Sequence, residues 1–113
     1  MSLIGIVTAM RAEAKCVTSR RLPFNEMVRL REGTAIWICG IGEAAAHKAA
    51  IGLRDQGVSA LVSFGVAGAL SASLRPGDLV LPEHIQIEES DRVSVALAWR
   101  ARIKQLLPKR SEE

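Results

Sequence analysis

Tyrosine is absent from this chain, and aromatic residues make up only 4% of it. A surface that stacks nucleic-acid bases needs aromatic faces set among its cations, so the composition argues against that partner. There are two cysteines, Cys16 and Cys39, with no Cys-x-x-Cys spacing and no histidine cluster beside them. This argues against a disulfide framework and against a metal site, and it fits two small apolar thiols in a reduced, cytoplasmic chain. No apolar stretch reaches membrane-spanning length, and no basic segment leads into a long apolar run at the N-terminus. The expectation is a soluble protein that does not span a membrane. Neither charge dominates: 15 Lys and Arg stand against 12 Asp and Glu, a net charge of +3 that reads as a mildly basic, solvated surface. Internal repeats, low-complexity segments and domain linkers are also missing.

What is present describes a globular chain. Hydrophobic residues make up 49% and charged residues 24% of its 113 residues, a length that fits one domain. Leu3 to Val7 reads as a buried first strand, and Ala12 to Ser19 as a short helix. Met27 to Leu30 and Thr34 to Cys39 read as strands joined by a turn at Glu32-Gly33. Gly42 to Gln56 is the best helix, with Ala46, Ala49, Ala50 and Leu53 on one face and Gly57 as its stop. Ala60 to Phe64 has the continuous apolar character of a strand buried on both faces. Leu79 to Leu81 and Ile85 to Ile87 read as further strands, and Glu88 to Arg92 as a polar loop. Ser94 is placed to cap a last helix, Val95 to Leu107, which Pro108 ends before a polar tail, Lys109 to Glu113.

The chain is organised around Val58 to Pro82. The strand Ala60 to Phe64 runs into Gly65-Val66-Ala67-Gly68, where closely spaced glycines allow backbone N–H groups to approach an anion. Strand, glycine loop, turn and strand is the layout of a ligand site on the rim of an α/β sheet. The same pattern also describes a plain turn between two core strands. Upstream, Glu13 stands at the first turn of a helix, where a carboxylate is favoured by the helix dipole alone. His47 and His84 have no partner at a catalytic or metal-ligand spacing, and Asp78 fits a turn hydrogen bond.

Three motifs in register resemble the superfamily of purine nucleoside phosphorylases and 5′-methylthioadenosine/S-adenosylhomocysteine nucleosidases. Ile4-Gly5-Ile6-Val7-Thr8-Ala9-Met10 followed by Glu13 is similar to the family's opening strand and its Ala-Met-x-x-Glu. Gly40-Ile41-Gly42 with Ala44 to Ala46 is similar to its Gly-Ile-Gly turn and alanine-rich helix. Gly65-Val66-Ala67-Gly68-Ala69 and Gly77-Asp78-Leu79-Val80 resemble its glycine loop and Gly-Asp-Ile/Leu-Val. Order and spacing agree across residues 3 to 87. Ala98-Trp99-Arg100-Ala101-Arg102 resembles the hopanoid-associated branch, which acts on an adenosyl lipid.

The resemblance implies a three-layer α/β/α fold of which residues 1–113 form the N-terminal half, a single incomplete domain. It implies cleavage of a purine N-glycosidic bond with phosphate or water as nucleophile, no metal or organic cofactor, and phosphate as co-substrate. Glu13 matches the glutamate that handles the proton of the attacking water, a task suited to a carboxylate whose burial lifts its pKa toward working pH. Arg11 stands where the nucleosidases have an acid, so it could hold phosphate and tilts the reaction toward phosphorolysis. Gly65, Val66, Ala67 and Gly68 would bind ribose or phosphate. Val66 replaces the family's Ser or Thr, and its side chain cannot donate a hydrogen bond.

The family's Met-Glu pair, which grips the ribose hydroxyls, has no counterpart among these residues. Nor has the strand-end Asp that protonates the purine. The expectation is therefore a chain with little activity by itself, which self-associates or meets a partner supplying the rest of the site. A non-catalytic remnant or partner-dependent subunit is the alternative. Gly40-x-Gly42-x-x-Ala45 also satisfies a loose dinucleotide fingerprint, but the next strand ends at Phe64-Gly65 without the acid an NAD(P) ribose needs.

Overall fold

The computed structural model describes residues 2–31, 33–89 and 91–107. Glu32 of the expected hairpin turn, Ser90 of the expected polar loop, the helix stop at Pro108 and the tail Lys109 to Glu113 lie outside them. The chain divides into two compact units, Met1–Gly68 and Ala69–Glu113.

The first unit is built on a four-stranded sheet. Its strands are β1 (Ile4–Thr8), β2 (Val28–Arg29), β3 (Thr34–Ile38) and β4 (Ala60–Ser63), and its helices are α1 (Arg11–Ala14) and α2 (Glu43–Asp55). The sheet order is β2-β3-β1-β4. β1 is parallel to β3, with Ile4 opposite Thr34 and Thr8 opposite Ile38, and parallel to β4, with Ile4 opposite Ala60 and Val7 opposite Ser63. β2 is antiparallel to β3, as the expected hairpin requires.

Alternation along β3 sorts its side chains to two faces. Ala35 and Trp37 join Leu3, Val7, Ala49, Leu53 and Val58 in a core under α2. Ile36 and Ile38 join Ala14 of α1 and Leu22 in a second core. Helix, sheet and helix therefore stack as three layers, the α/β architecture expected from the sequence.

α2 ends as its sequence asks. Gly57 has φ +98°, its N–H donates to the Arg54 carbonyl, and the Val58 N–H donates to the Leu53 carbonyl. This is a Schellman motif, in which glycine takes the left-handed position at no Cβ cost. The buried face of α2 differs from the alanine stripe. Ala49 and Leu53 are buried and Ala45 packs beside them, whereas Ala46 is exposed. The cause is Trp37, whose ring fills the space at Gly52 so closely that a Cβ there would sit 2.5 Å from Cη2.

Three further expectations change. β4 is a strand, but Leu61 and Phe64 are 46% and 37% exposed, because β4 is an edge strand and among the described residues pairs only with β1. The first helix is one turn long rather than reaching Ser19. Leu79 to Leu81 forms no strand: no neighbour pairs with it, and the Leu81 carbonyl accepts instead from Arg100 Nε at 2.8 Å.

The second unit has β5 (His84–Glu88) and β6 (Asp91–Ser94), an antiparallel pair, followed by α3 (Leu97–Leu106). Ser94 does not cap α3. It pairs with His84 in the hairpin, and Ala96, at the N-cap position before Leu97, gives the helix no side-chain cap. Part of the expected polar loop, Asp91 and Arg92, is strand for the same reason. Among the described residues of this unit none is buried.

Candidate functional site

Three parallel strands deliver their carboxyl ends to one rim. The chain leaves β1 toward β3 on one side, then crosses through α2 to β4 on the other. β1 thus sits at a topological switch point, the position where open α/β sheets form a ligand crevice. Glu13 occupies this rim. It is the third residue of α1, and the short turn after β1 brings its carboxylate back over the strand end.

Oε1 accepts three hydrogen bonds, from Thr8 Oγ1 at 2.8 Å, the Ala9 N–H at 3.0 Å and the Met10 N–H at 3.1 Å. Oε2 accepts one, from the Val66 N–H at 2.9 Å. The side chain is buried, 7% exposed, and so is Thr8. Each carboxylate oxygen offers two lone pairs, so Oε1, with three donors converging on it, is filled, and Oε2, with one, keeps room for one more donor.

These donors decide the charge state. The Val66 N–H is the strongest influence and holds the Glu13 carboxyl below its ordinary value of 4.5; burial opposes it, while Thr8, Ala9 and Met10 add to the lowering. Burial alone would raise the pKa toward working pH, but here it comes with donors that favour the anion and outweigh it. At neutral pH Glu13 is a fixed negative charge.

Gly65 makes this contact possible. A Cβ on it would lie 2.5 Å from Oε2 and 2.9 Å from Cδ of Glu13. The structure thus brings together Glu13, Gly65 and Val66, and the N–H of Val66 serves whatever its side chain is. The Val66 side chain itself is 79% exposed. Ala67 is exposed, and a Cβ on Gly68 would meet nothing within 4 Å.

Arg11 is engaged away from the loop. Its Nε donates to the Leu22 carbonyl at 3.3 Å, and its guanidinium lies 4.5 Å over the centre of the Phe24 ring. Asp78 accepts from the Arg75 N–H at 2.9 Å, the turn bond expected of it. His47 is exposed on α2, and His84 opens β5.

Thr8 is the participant that sequence reasoning missed. Its signal was a hydroxyl at the end of a buried strand, where valine or isoleucine would otherwise suit the packing. Cys39, at the end of β3, is also near: burial raises its thiol pKa, its own backbone lowers it, and the Glu13 charge raises it further. Among the described residues no group of three or more His, Cys, Asp and Glu is placed to hold a metal. Among them, too, no helix is long and apolar enough to cross a membrane.

The family model described as the phosphorylase superfamily matches residues 4–101. No curated protein and no solved structure matches the chain.

Proposed function

The chain belongs to the phosphorylase superfamily, and we propose that it contributes to cleavage of a purine N-glycosidic bond in a small nucleoside or an adenosyl lipid. The observation that carries this reading is the Glu13 carboxylate meeting the Gly65-Val66 loop at the switch point of the sheet. Breaking the bond builds positive charge on the ribose and negative charge on the leaving base. A fixed carboxylate beside the loop stabilises the first and, through Oε2, orients the incoming nucleophile. Its lowered pKa suits an orienting and electrostatic role more than a large share of proton abstraction.

Phosphorolysis is the first reading, with Arg11 as the cation for phosphate. It requires Arg11 to leave the Leu22 carbonyl and Phe24. Hydrolysis is the second reading, favoured by that engagement of Arg11 and by the free acceptor position on Oε2.

The 113-residue chain alone is expected to turn over slowly or not at all. It carries no Met-Glu dipeptide, and its one Ser-Asp pair, Ser90-Asp91, is preceded by the charged residues Glu88-Glu89. Loss of general-acid help alone costs about two to four powers of ten in rate. The test has two arms. Adenosine and methylthioadenosine titrated into labelled protein should shift the amides of residues 9–13 and 65–68, and Glu13→Gln should remove the shifts. Ligand shifts confined to other residues would defeat the site. Adenine release from adenosine, methylthioadenosine and an adenosyl lipid, with and without phosphate, should stay far below ordinary enzyme rates. Fast release abolished by Glu13→Gln would show that a complete site exists in this chain, and its phosphate dependence would choose the nucleophile.

A further inference from the structure

A cavity of about 300 Å³ opens beside α1, on the side of the second core. Four cationic side chains line it: Arg11, Lys15, Arg20 and Arg21. Leu22 and Ile38 contribute an apolar wall, and among the described residues no carboxylate lines it. Among the described residues, none of the four cations is in an ion pair. Four positive groups on one cavity without a counter-charge raise its potential, and a multiply charged anion relieves it.

Two of the guanidinium groups are already held in place by backbone carbonyls. Arg11 donates Nε to Leu22, and Arg20 donates Nη1 to the Arg29 carbonyl at 3.1 Å. Each such bond uses one of five N–H donors and leaves the rest of the fork available. Holding them in advance removes part of the ordering cost that an exposed arginine would meet on binding.

We propose that this cavity, with Arg11 held at Leu22 and Phe24 as it stands, is an anion site for a small diphosphate-type ligand, separate from the Glu13 site; it rests on the hydrolysis reading, in which Arg11 takes no part at Glu13. The separation is geometric: neither Glu13 nor any residue from 65 to 68 lines the cavity. The ligand class follows from charge and size. Arginine forks match phosphate oxygens in pairs, four cations outnumber the charge of a single phosphate, and the volume lies at the small end of ligand cavities.

The test is titration of the full chain with inorganic pyrophosphate, then with orthophosphate, followed by calorimetry and by amide shifts. The expected result is saturable binding of one pyrophosphate, weaker binding of orthophosphate, and shifts centred on residues 11–22. Arg20 and Arg21 are both exposed, so a double Arg20→Ala, Arg21→Ala variant should keep its fold and lose affinity by about tenfold or more. Non-saturable binding, unchanged affinity in that variant, or shifts centred on residues 65–68 would overturn the proposal. Residues 65–68 report on adenosine alone and residues 15–22 on pyrophosphate alone, so failure of one site leaves the other separately readable.

Discussion

β1 and β5 are both five-residue strands with isoleucine at alternate positions, IGIVT and HIQIE. Their surroundings differ. β1 has a hydrogen-bonded neighbour on each side and a core on each face, and its burial follows. Among the described residues β5 has one neighbour, β6, and all of β5 is exposed, Ile85 at 48% and Ile87 at 62%. Local pattern is enough to extend the chain. Burial depends on how many elements arrive around it, and burial carries the stabilisation.

The largest expected effect tests that contrast directly. Leu53→Ala removes a fully buried side chain from the core under α2 and should cost about 2–5 kcal/mol. Ile87→Ala in β5 should change stability by no more than about 0.5 kcal/mol. Urea unfolding followed through the buried Trp37 measures both. An equal cost for Ile87→Ala would mean that β5 is covered in solution and would break the comparison.

Next in size is Glu13. Glutamine offers one oxygen where the carboxylate offers two, so either Val66 or the Thr8-Ala9-Met10 set would face an amide donor. Glu13→Gln should cost about 1.5–3 kcal/mol near neutral pH, the usual range for a hydrogen bond to a charged group. The sign of the pH dependence follows from the lowered pKa. Stability from the anion is fully present above the ordinary value of 4.5 and is lost as pH falls through the lower folded value. Wild type and Glu13→Gln should therefore converge in stability on acidification below that point. A gap that widens there would mean that Glu13 is protonated in the fold. Gly65→Ala should reproduce part of the loss with the carboxylate still present, because its Cβ would lie only 2.5 Å from Oε2 and push the carboxylate away.

The same contrast explains what could be read from the sequence. α2 and its glycine stop were legible because their signals lie within a few residues of one another. The three-motif resemblance named Glu13 and Gly65 as site residues, and the parallel pairing of β1 with β4 brings them to one rim. The lowered pKa of Glu13 was not legible, since its main cause is an N–H 53 residues away. Ser94 carried two compatible local meanings, helix cap and strand partner, and the arrival of His84 selected the second. Leu79 to Leu81 had the composition of a strand and no partner to pair with. The edge position of β4 was hidden for the same reason: a run of residues does not record what stands beside it.

Gly52→Ala is the smallest effect and the sharpest test of how α2 sits on the sheet. Two terms oppose each other. In a free helix the change would stabilise by about 1 kcal/mol, because alanine loses less backbone freedom than glycine. In this fold the new Cβ would lie 2.5 Å from Cη2 and 2.6 Å from Cζ3 of Trp37. The ring cannot simply swing aside, since Trp37 is buried, 7% exposed, in the core that also holds Ala49 and Leu53. Overpacking of this kind costs about 1–3 kcal/mol. The packing term wins, and the expected net effect is a loss of up to about 2 kcal/mol with a shift in Trp37 emission. Comparing Gly52→Ala with Ala46→Gly separates the two faces of the helix. Ala46 is exposed, so Ala46→Gly should cost only the propensity term, about 1 kcal/mol, and leave the emission unchanged. Stabilisation by Gly52→Ala with unaltered emission would place the alanine stripe, rather than Gly52, against the sheet.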